Sequence, residues 1–240
     1  MPPDRALVLV PGLLCDAAIW SHQVSALSGL AEVQIAEPGE SDSLGAMAER
    51  TLDTAPARFS IAGHSMGGRI ALEVVRRAPD RVDRLALMDT GYEALAPGEV
   101  GDREMAGRLR LVAAAREHGM RAMGIAWVQG MVHPRRLSDR ALIGTILDMI
   151  QRRTPDYYAA QTRALLERPD ATGLLPTIAC PTLVLCGQED TWSPLDRHRR
   201  LAERIPGSRL CVVPDCGHMS PLEQPEAVSA ALRQWLMSSR

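Results

Sequence analysis

Three side chains far apart in the chain have the types and the order that acyl transfer requires. Ser65 lies in Phe59-Ser60-Ile61-Ala62-Gly63-His64-Ser65-Met66-Gly67-Gly68. Asp190 closes the run Thr182-Leu183-Val184-Leu185-Cys186-Gly187-Gln188-Glu189-Asp190. His218 closes Leu210-Cys211-Val212-Val213-Pro214-Asp215-Cys216-Gly217-His218. A serine hydroxyl is a weak nucleophile: a base must take its proton, and an acid must orient that base. Gly63 and Gly67 stand two residues either side of Ser65, where a β-carbon would obstruct a sharp reversal of the backbone. An apolar run precedes the GxSxG motif and an amphipathic pattern follows it, the strand-turn-helix setting that the motif needs. The first N–H groups of a helix starting at Met66 have no partner within the helix and present its positive end to a developing oxyanion. The plainer reading is a strand-to-helix turn with a capping serine. The glycine spacing of a dinucleotide-binding loop is missing.

Each assignment has rivals. Of the six histidines, His64 adjoins Ser65 but is expected to point away from its hydroxyl. His22, His118, His133 and His198 fall in helical patterns or in the long central segment and read as structural or solvated. For the acid, Glu189, Asp215 and Asp89 compete with Asp190, and Asp89 also ends an apolar run.

The elements that must position these groups can be read from the pattern. Short apolar runs at Ala6–Val10, Glu32–Ala36, Arg58–Ala62, Leu85–Met88, Thr182–Leu185 and Leu210–Val213 suit strands buried on both faces. Helical spacing alternates with them at Ala17–Ser28, Met66–Arg77 and Ala227–Trp235. The expected fold is α/β, a mostly parallel central sheet with helices on both faces. Ser65, Asp190 and His218 then all emerge at carboxyl ends of strands, the edge where open α/β sheets place their sites. One span breaks the alternation: helical patterns at Asp102–His118, Met120–Met131, Asp139–Arg152 and Pro155–Glu167 follow one another without a strand. Residues 1–90 and 173–240 are expected to form the core, and residues 91–172 an inserted helical cap that sets substrate choice. Within it Leu109, Leu111, Val112, Met123, Trp127, Met131, Leu142, Ile146 and Met149 either line a pocket or pack cap against core. Arg110, Arg121 and Arg163 are candidates for a substrate carboxylate or for solvated charges, and Trp192 for the pocket's edge.

Composition removes other classes. The 27 basic residues, all arginine, against 29 acidic ones give a formal charge of −2 and no electrostatic case for nucleic acid or anionic lipid. The absence of lysine excludes a Schiff base or a phosphate-loop lysine. No window approaches the ~18 apolar residues that span a bilayer, and the N-terminal run stops at Pro11-Gly12, too soon for a signal peptide. Five cysteines without CxxC spacing fit neither a disulfide framework nor a zinc site, which suggests reduced thiols and a cytoplasmic setting. No metal or cofactor is expected, the partner is a small-molecule substrate, and oligomeric state is left open.

Taken together, Val10-Pro11-Gly12-Leu13-Leu14, Gly63-His64-Ser65-Met66-Gly67-Gly68, Gly187-Gln188-Glu189-Asp190 and Gly217-His218-Met219-Ser220-Pro221-Leu222-Glu223-Gln224-Pro225 resemble the α/β-hydrolase fold superfamily, in its compact capped branch of esterase and enol-lactonase type. The resemblance implies a Ser65-Asp190-His218 triad and an oxyanion hole built from the backbone N–H groups of Leu13 and Met66, with Leu14 as the alternative to Leu13. It departs at Pro11, where relatives usually carry histidine, so the loop holding Leu13 differs. Serine at the elbow excludes the dehalogenases and epoxide hydrolases of this fold, which use aspartate there, and leaves Tyr157-Tyr158 to packing. Three readings follow: hydrolysis of a small carboxylic ester, lactone or thioester; hydrolysis of a C–C bond in a diketone; or a catalytically idle ligand-binding member of the fold.

Overall fold

The computed structural model describes residues 5–238. Six strands, β1 (Ala6–Val10), β2 (Glu32–Ile35), β3 (Phe59–His64), β4 (Val82–Met88), β5 (Thr182–Gly187) and β6 (Arg209–Val213), form one sheet in the order β2-β1-β3-β4-β5-β6. Every pairing is parallel. All residues of β3 and β5 are buried. Because successive strand residues face opposite sides, burial at every position means that both faces are covered. The cover consists of α1 (Ser21–Leu27), α2 (Leu44–Thr54), α3 (Met66–Arg77), α8 (Leu195–Arg204) and, after the single turn α9 (Ser220–Glu223), α10 (Pro225–Met237), with α2 packed on α3 and α1 on α10.

Register decides where the chemistry can sit. Val10 pairs with Gly63, His64 with Met88, Met88 with Leu185, and Gly187 with Val213. The strand ends are therefore level, and the residues that follow them line one edge. The chain passes from β1 outward to β2 and then back to β3 on the other side, so β1 and β3 flank the point where the winding reverses. Crevices at such points are the usual ligand sites of open α/β sheets.

Most boundaries agree with the sequence pattern to within a few residues, and α3 matches it throughout. The expected helix Ala17–Ser28 divides instead. Asp16 accepts from Ala18 N (2.9 Å) and starts a 3₁₀ turn over Ala17–Trp20 before α1. Helix α2 was not evident in the sequence: its buried face is only Leu44, Met47, Ala48 and Thr51, and its start depends on the side chain of Ser43.

Between β4 and β5 the described chain contains helices alone: α4 (Glu99–His118), α5 (Met120–Val128), α6 (Arg140–Gln151), α7 (Pro155–Leu166) and single 3₁₀ turns. The pattern reading Met120–Met131 overran α5, which ends at Val128. Gly119, at φ +85°, separates α4 from α5 with a reversal that a side chain would resist. Asp139 and Thr154 cap α6 and α7 by accepting from Leu142 N and Tyr157 N. These helices are tied to the rest by Asp16–Arg152 (2.7 Å), Glu37–Arg153 (2.9 Å) and the fully buried Gln161.

Candidate active site

Strand β3 delivers Ser65 into a backbone conformation that L-residues avoid, φ 56° and ψ −117°. The flanking glycines make the turn possible. A β-carbon on Gly63 would collide with the Gly67 backbone, and one on Gly67 would strike the Val10 carbonyl. Gly12 lies equally close: its β-carbon would stand 2.9 Å from His64 Nδ1 and 3.1 Å from Ser65 Cβ. The loop after β1 thus runs directly against the elbow.

The structure brings the three expected side chains together. His218 Nε2 lies 2.8 Å from Ser65 Oγ, and His218 Nδ1 lies 2.8 Å from Asp190 Oδ2. A carboxylate can only accept, so Nδ1 carries the proton and Nε2 is left to accept from the hydroxyl. The other Asp190 oxygen accepts from Trp192 N (2.8 Å) and Ser193 N (2.9 Å), which fixes the carboxylate's plane. Burial pulls the imidazole's pKa down, but the charge and hydrogen bond of Asp190, with Asp89 and Glu223 nearby, outweigh it and hold His218 above the usual histidine value. Burial raises Asp190, and the His218 charge and bond with the Ser193 N–H reverse that and leave it lowered.

The rival acids have other partners. Glu189 accepts from Cys216 N, and Asp215 pairs with Arg135 on the surface. Asp89 is fully buried and accepts from Gly187 N (2.9 Å) and the Ser220 hydroxyl, with no hydrogen bond to His218 among the described residues. Burial and the Asp190 charge push its carboxyl well above the usual range. His64 makes no bond to Ser65, yet it is part of the site's wall: its Nε2–H donates to the His218 carbonyl (2.7 Å). Burial and the His218 charge lower its pKa to about 3, so it stays neutral. His198 is structural, accepting from Thr90 N (2.9 Å).

Of the two candidate loop donors, Leu14 is occupied: its N–H donates to Gln161 Oε1 (3.1 Å). Leu13 N–H and Met66 N–H have no acceptor among the described residues. Gln161 also donates to Gly39 O (3.1 Å) in the loop after β2, so one side chain of α7 ties together the loops after β1 and β2. The histidine loop is held from the same segment. His218 N donates to Met131 O (2.8 Å), and the buried carboxylate of Glu223 accepts from Gly217, Met219 and His133 N–H groups. Sequence reading did not single out Glu223 or Gln161 for any role. Glu223 had a signal, its place in the motif that begins at Gly217; Gln161 had none.

A cavity of about 780 Å³ opens above Ser65 and His218. Leu111, Trp127, Met131 and Trp192 line it, whereas Val112, Met123, Leu142, Ile146 and Met149 pack inside the helical segment and Leu109 is exposed. Arg110 reaches the cavity; Arg121 and Arg163 do not, being paired with Asp148 and Asp42 at the surface. Tyr158 is buried and Tyr157 packs under Arg153.

With fold and geometry in hand, comparison with known proteins assigns the class. Residues 54–225 match the alpha/beta hydrolase fold family, and the chain belongs to it. A pimeloyl-[acyl-carrier protein] methyl ester esterase from Nitrosomonas europaea is 26% identical over 234 residues, 93% of this chain and 92% of that protein. Among solved structures, a thermophilic esterase from Thermogutta terrifontis (malate bound) is 30% identical with a TM-score of 0.86, covering 98% of this chain and 90% of that one. The enol-lactonase from Burkholderia xenovorans LB400 shares the fold at 24% identity and a TM-score of 0.83, covering 98% and 91%. No helix among the described residues is long and apolar enough to cross a membrane.

Proposed function

We propose that this α/β-hydrolase cleaves a small carboxylic ester, lactone or thioester through an acyl-enzyme on Ser65. The observation that carries the reading is the continuous relay from Asp190 to His218 to Ser65, with both contacts at 2.8 Å. Ser65 Oγ adds to the carbonyl carbon as its proton passes to His218 Nε2, and Asp190 holds the resulting imidazolium. The oxyanion is received by the N–H groups of Leu13 and Met66, neither of which has an acceptor among the described residues. Collapse breaks the bond to the alcohol or thiol, which leaves with the proton from His218. Water, deprotonated by the same imidazole, then releases the acid and restores the hydroxyl.

Residues 91–172 act as a cap, and Gln161 and Met131 make it a brace for the oxyanion loop and the histidine loop. The five cysteines are all free thiols, which supports a cytoplasmic setting. The test is turnover of an activated short-chain ester beside a diketone by the wild type and by Ser65→Ala. Ester cleavage that vanishes in the variant supports the reading. Ester cleavage unaffected by the substitution, or cleavage of the diketone alone, rejects it.

A further inference from the structure

Beyond Ser65 and His218 the cavity is lined by Arg69, Arg108, Arg168 and Arg197. Their partners do not balance them. Glu104 takes both terminal nitrogens of Arg168 (2.7 and 2.9 Å) and Arg108 Nε (2.9 Å). Glu93 lies 3.5 Å from Arg197 Nε, a buried nitrogen with no hydrogen-bond acceptor. Arg69 makes one hydrogen bond, from Nη1 to the Glu93 carbonyl (2.9 Å), and among the described residues has no carboxylate within ion-pair distance. Four guanidinium groups thus share two carboxylates. The other cavity acid, Asp89, is engaged below by Gly187 and Ser220. At the exposed rim Arg103 pairs with Glu99, and Arg110 adds a further cation.

The crowding is built in. A β-carbon on Gly91 would lie 2.7 Å from Arg69 Nη2 and 3.1 Å from Arg197 Cδ, so the two side chains close over bare backbone. Arg69 lies on α3 four residues after its N-cap Ser65, about one helical turn and ~6 Å of rise from the nucleophile. Burial, then repulsion from Arg168, Arg197 and Arg108, draws its pKa down to about 9, which leaves it cationic at neutral pH with like charges as neighbours. Tying the chain together accounts for Arg168, which bridges α4, the end of α7 and the loop after β4, while Arg108 pairs with Glu104 one turn away on α4. It does not account for Arg69, whose Nε and Nη2 have no acceptor among the described residues.

We infer that Arg69, flanked by Arg197 and Arg108, is an anion-binding subsite that selects substrates carrying a carboxylate a few atoms from the scissile carbonyl. The inference rests on the acyl-transfer reading of Ser65 and specifies its substrate class. Arg69 is a specificity residue with no part in the proton relay.

The test uses the wild-type protein and matched ester pairs. p-Nitrophenyl hemiglutarate and p-nitrophenyl pentanoate differ in the terminal charge of the acyl half; a second pair carries the carboxylate on the alcohol half instead. The expected result is kcat/KM at least about tenfold higher for the charged member of one pair, the scale of a charge-assisted hydrogen bond, expressed mainly in KM. Which pair responds shows which half of the substrate faces Arg69. Glutarate should inhibit competitively where uncharged glutaramide does not. In Arg69→Gln the ratio of charged to neutral kcat/KM should fall about tenfold, a readout that a general loss of folding would leave unchanged. Equal rates within both pairs and no inhibition by glutarate would overturn the subsite while leaving acyl transfer standing. Absence of turnover on all four esters would instead count against the acyl-transfer reading itself.

Discussion

The turn around Ser65 and the middle of α6 treat the same residue type in opposite ways. A β-carbon on Gly63 or Gly67 would stand within 3 Å of backbone atoms, whereas Gly144, in the middle of α6, has nothing within 4 Å of where one would stand. In the turn, tertiary geometry overrides every local preference: Ser65 accepts a strained backbone because β3, α3 and the loop after β1 converge there. At Gly144 local preference still has room to act. The turn fixes Ser65, whereas the helical segment, together with Arg69 and Arg197 from the core helices, lines the space above it.

Four substitutions and one titration would break or sharpen that division. The largest effect is expected at the relay. Asp190→Asn can keep its bonds from Trp192 and Ser193, but its amide would present N–H to His218 Nδ1 and favour the wrong tautomer, so kcat should fall by on the order of 10⁴-fold with folding intact. A fall below tenfold would move the acid's role to Asp89. Gln161→Leu, in the helical segment, should lower kcat by roughly 10²-fold by freeing the Leu13-Leu14 loop, since misplacement by ~1 Å is that costly. Unchanged kcat there would show that α7 plays no part in bracing the loop.

The pH profile comes next. Turnover needs neutral His218, whose pKa is raised above its ordinary 6.5 by Asp190 and the nearby acids against the pull of burial. kcat/KM should therefore fall on the acid side with a midpoint above 6.5, about tenfold per pH unit below it. In Asp190→Asn that midpoint should drop. The smallest effect is the glycine contrast itself, read by thermal or urea denaturation. Gly63→Ala should destabilise by more than about 3 kcal/mol, whereas Gly144→Ala should stabilise by about 0.5–1 kcal/mol without changing turnover. Equal effects at the two sites would erase the distinction.

The same division governs what could be read from the chain alone. Strands buried on both faces must be continuous apolar runs, and the residue after each run falls on one edge of the sheet. That logic alone brings Ser65 and the loops carrying Asp190 and His218 to one edge of the sheet. The helical segment offers no such rule. An amphipathic pattern tells which residues avoid water but not which neighbour they meet, so Val112 and Ile146 could not be told from Leu111 and Trp127. The arginines show this most clearly. Arg110, Arg121 and Arg163 were candidates by location, yet two of them pair at the surface. Arg69 sits on the core helix α3, and nothing in the sequence singles it out; its place on the cavity wall beside Gly91 and Arg197 comes from tertiary packing. Gln161 was hidden for the same reason, since its two partners lie 147 and 122 positions away.

The central claim is most directly tested by treating the protein with a fluorophosphonate and locating the adduct by peptide mass spectrometry. A single phosphonylated residue, Ser65, formed in the wild type and strongly slowed in His218→Ala, is the predicted result. An adduct on another side chain, or none while ester turnover continues, would contradict it.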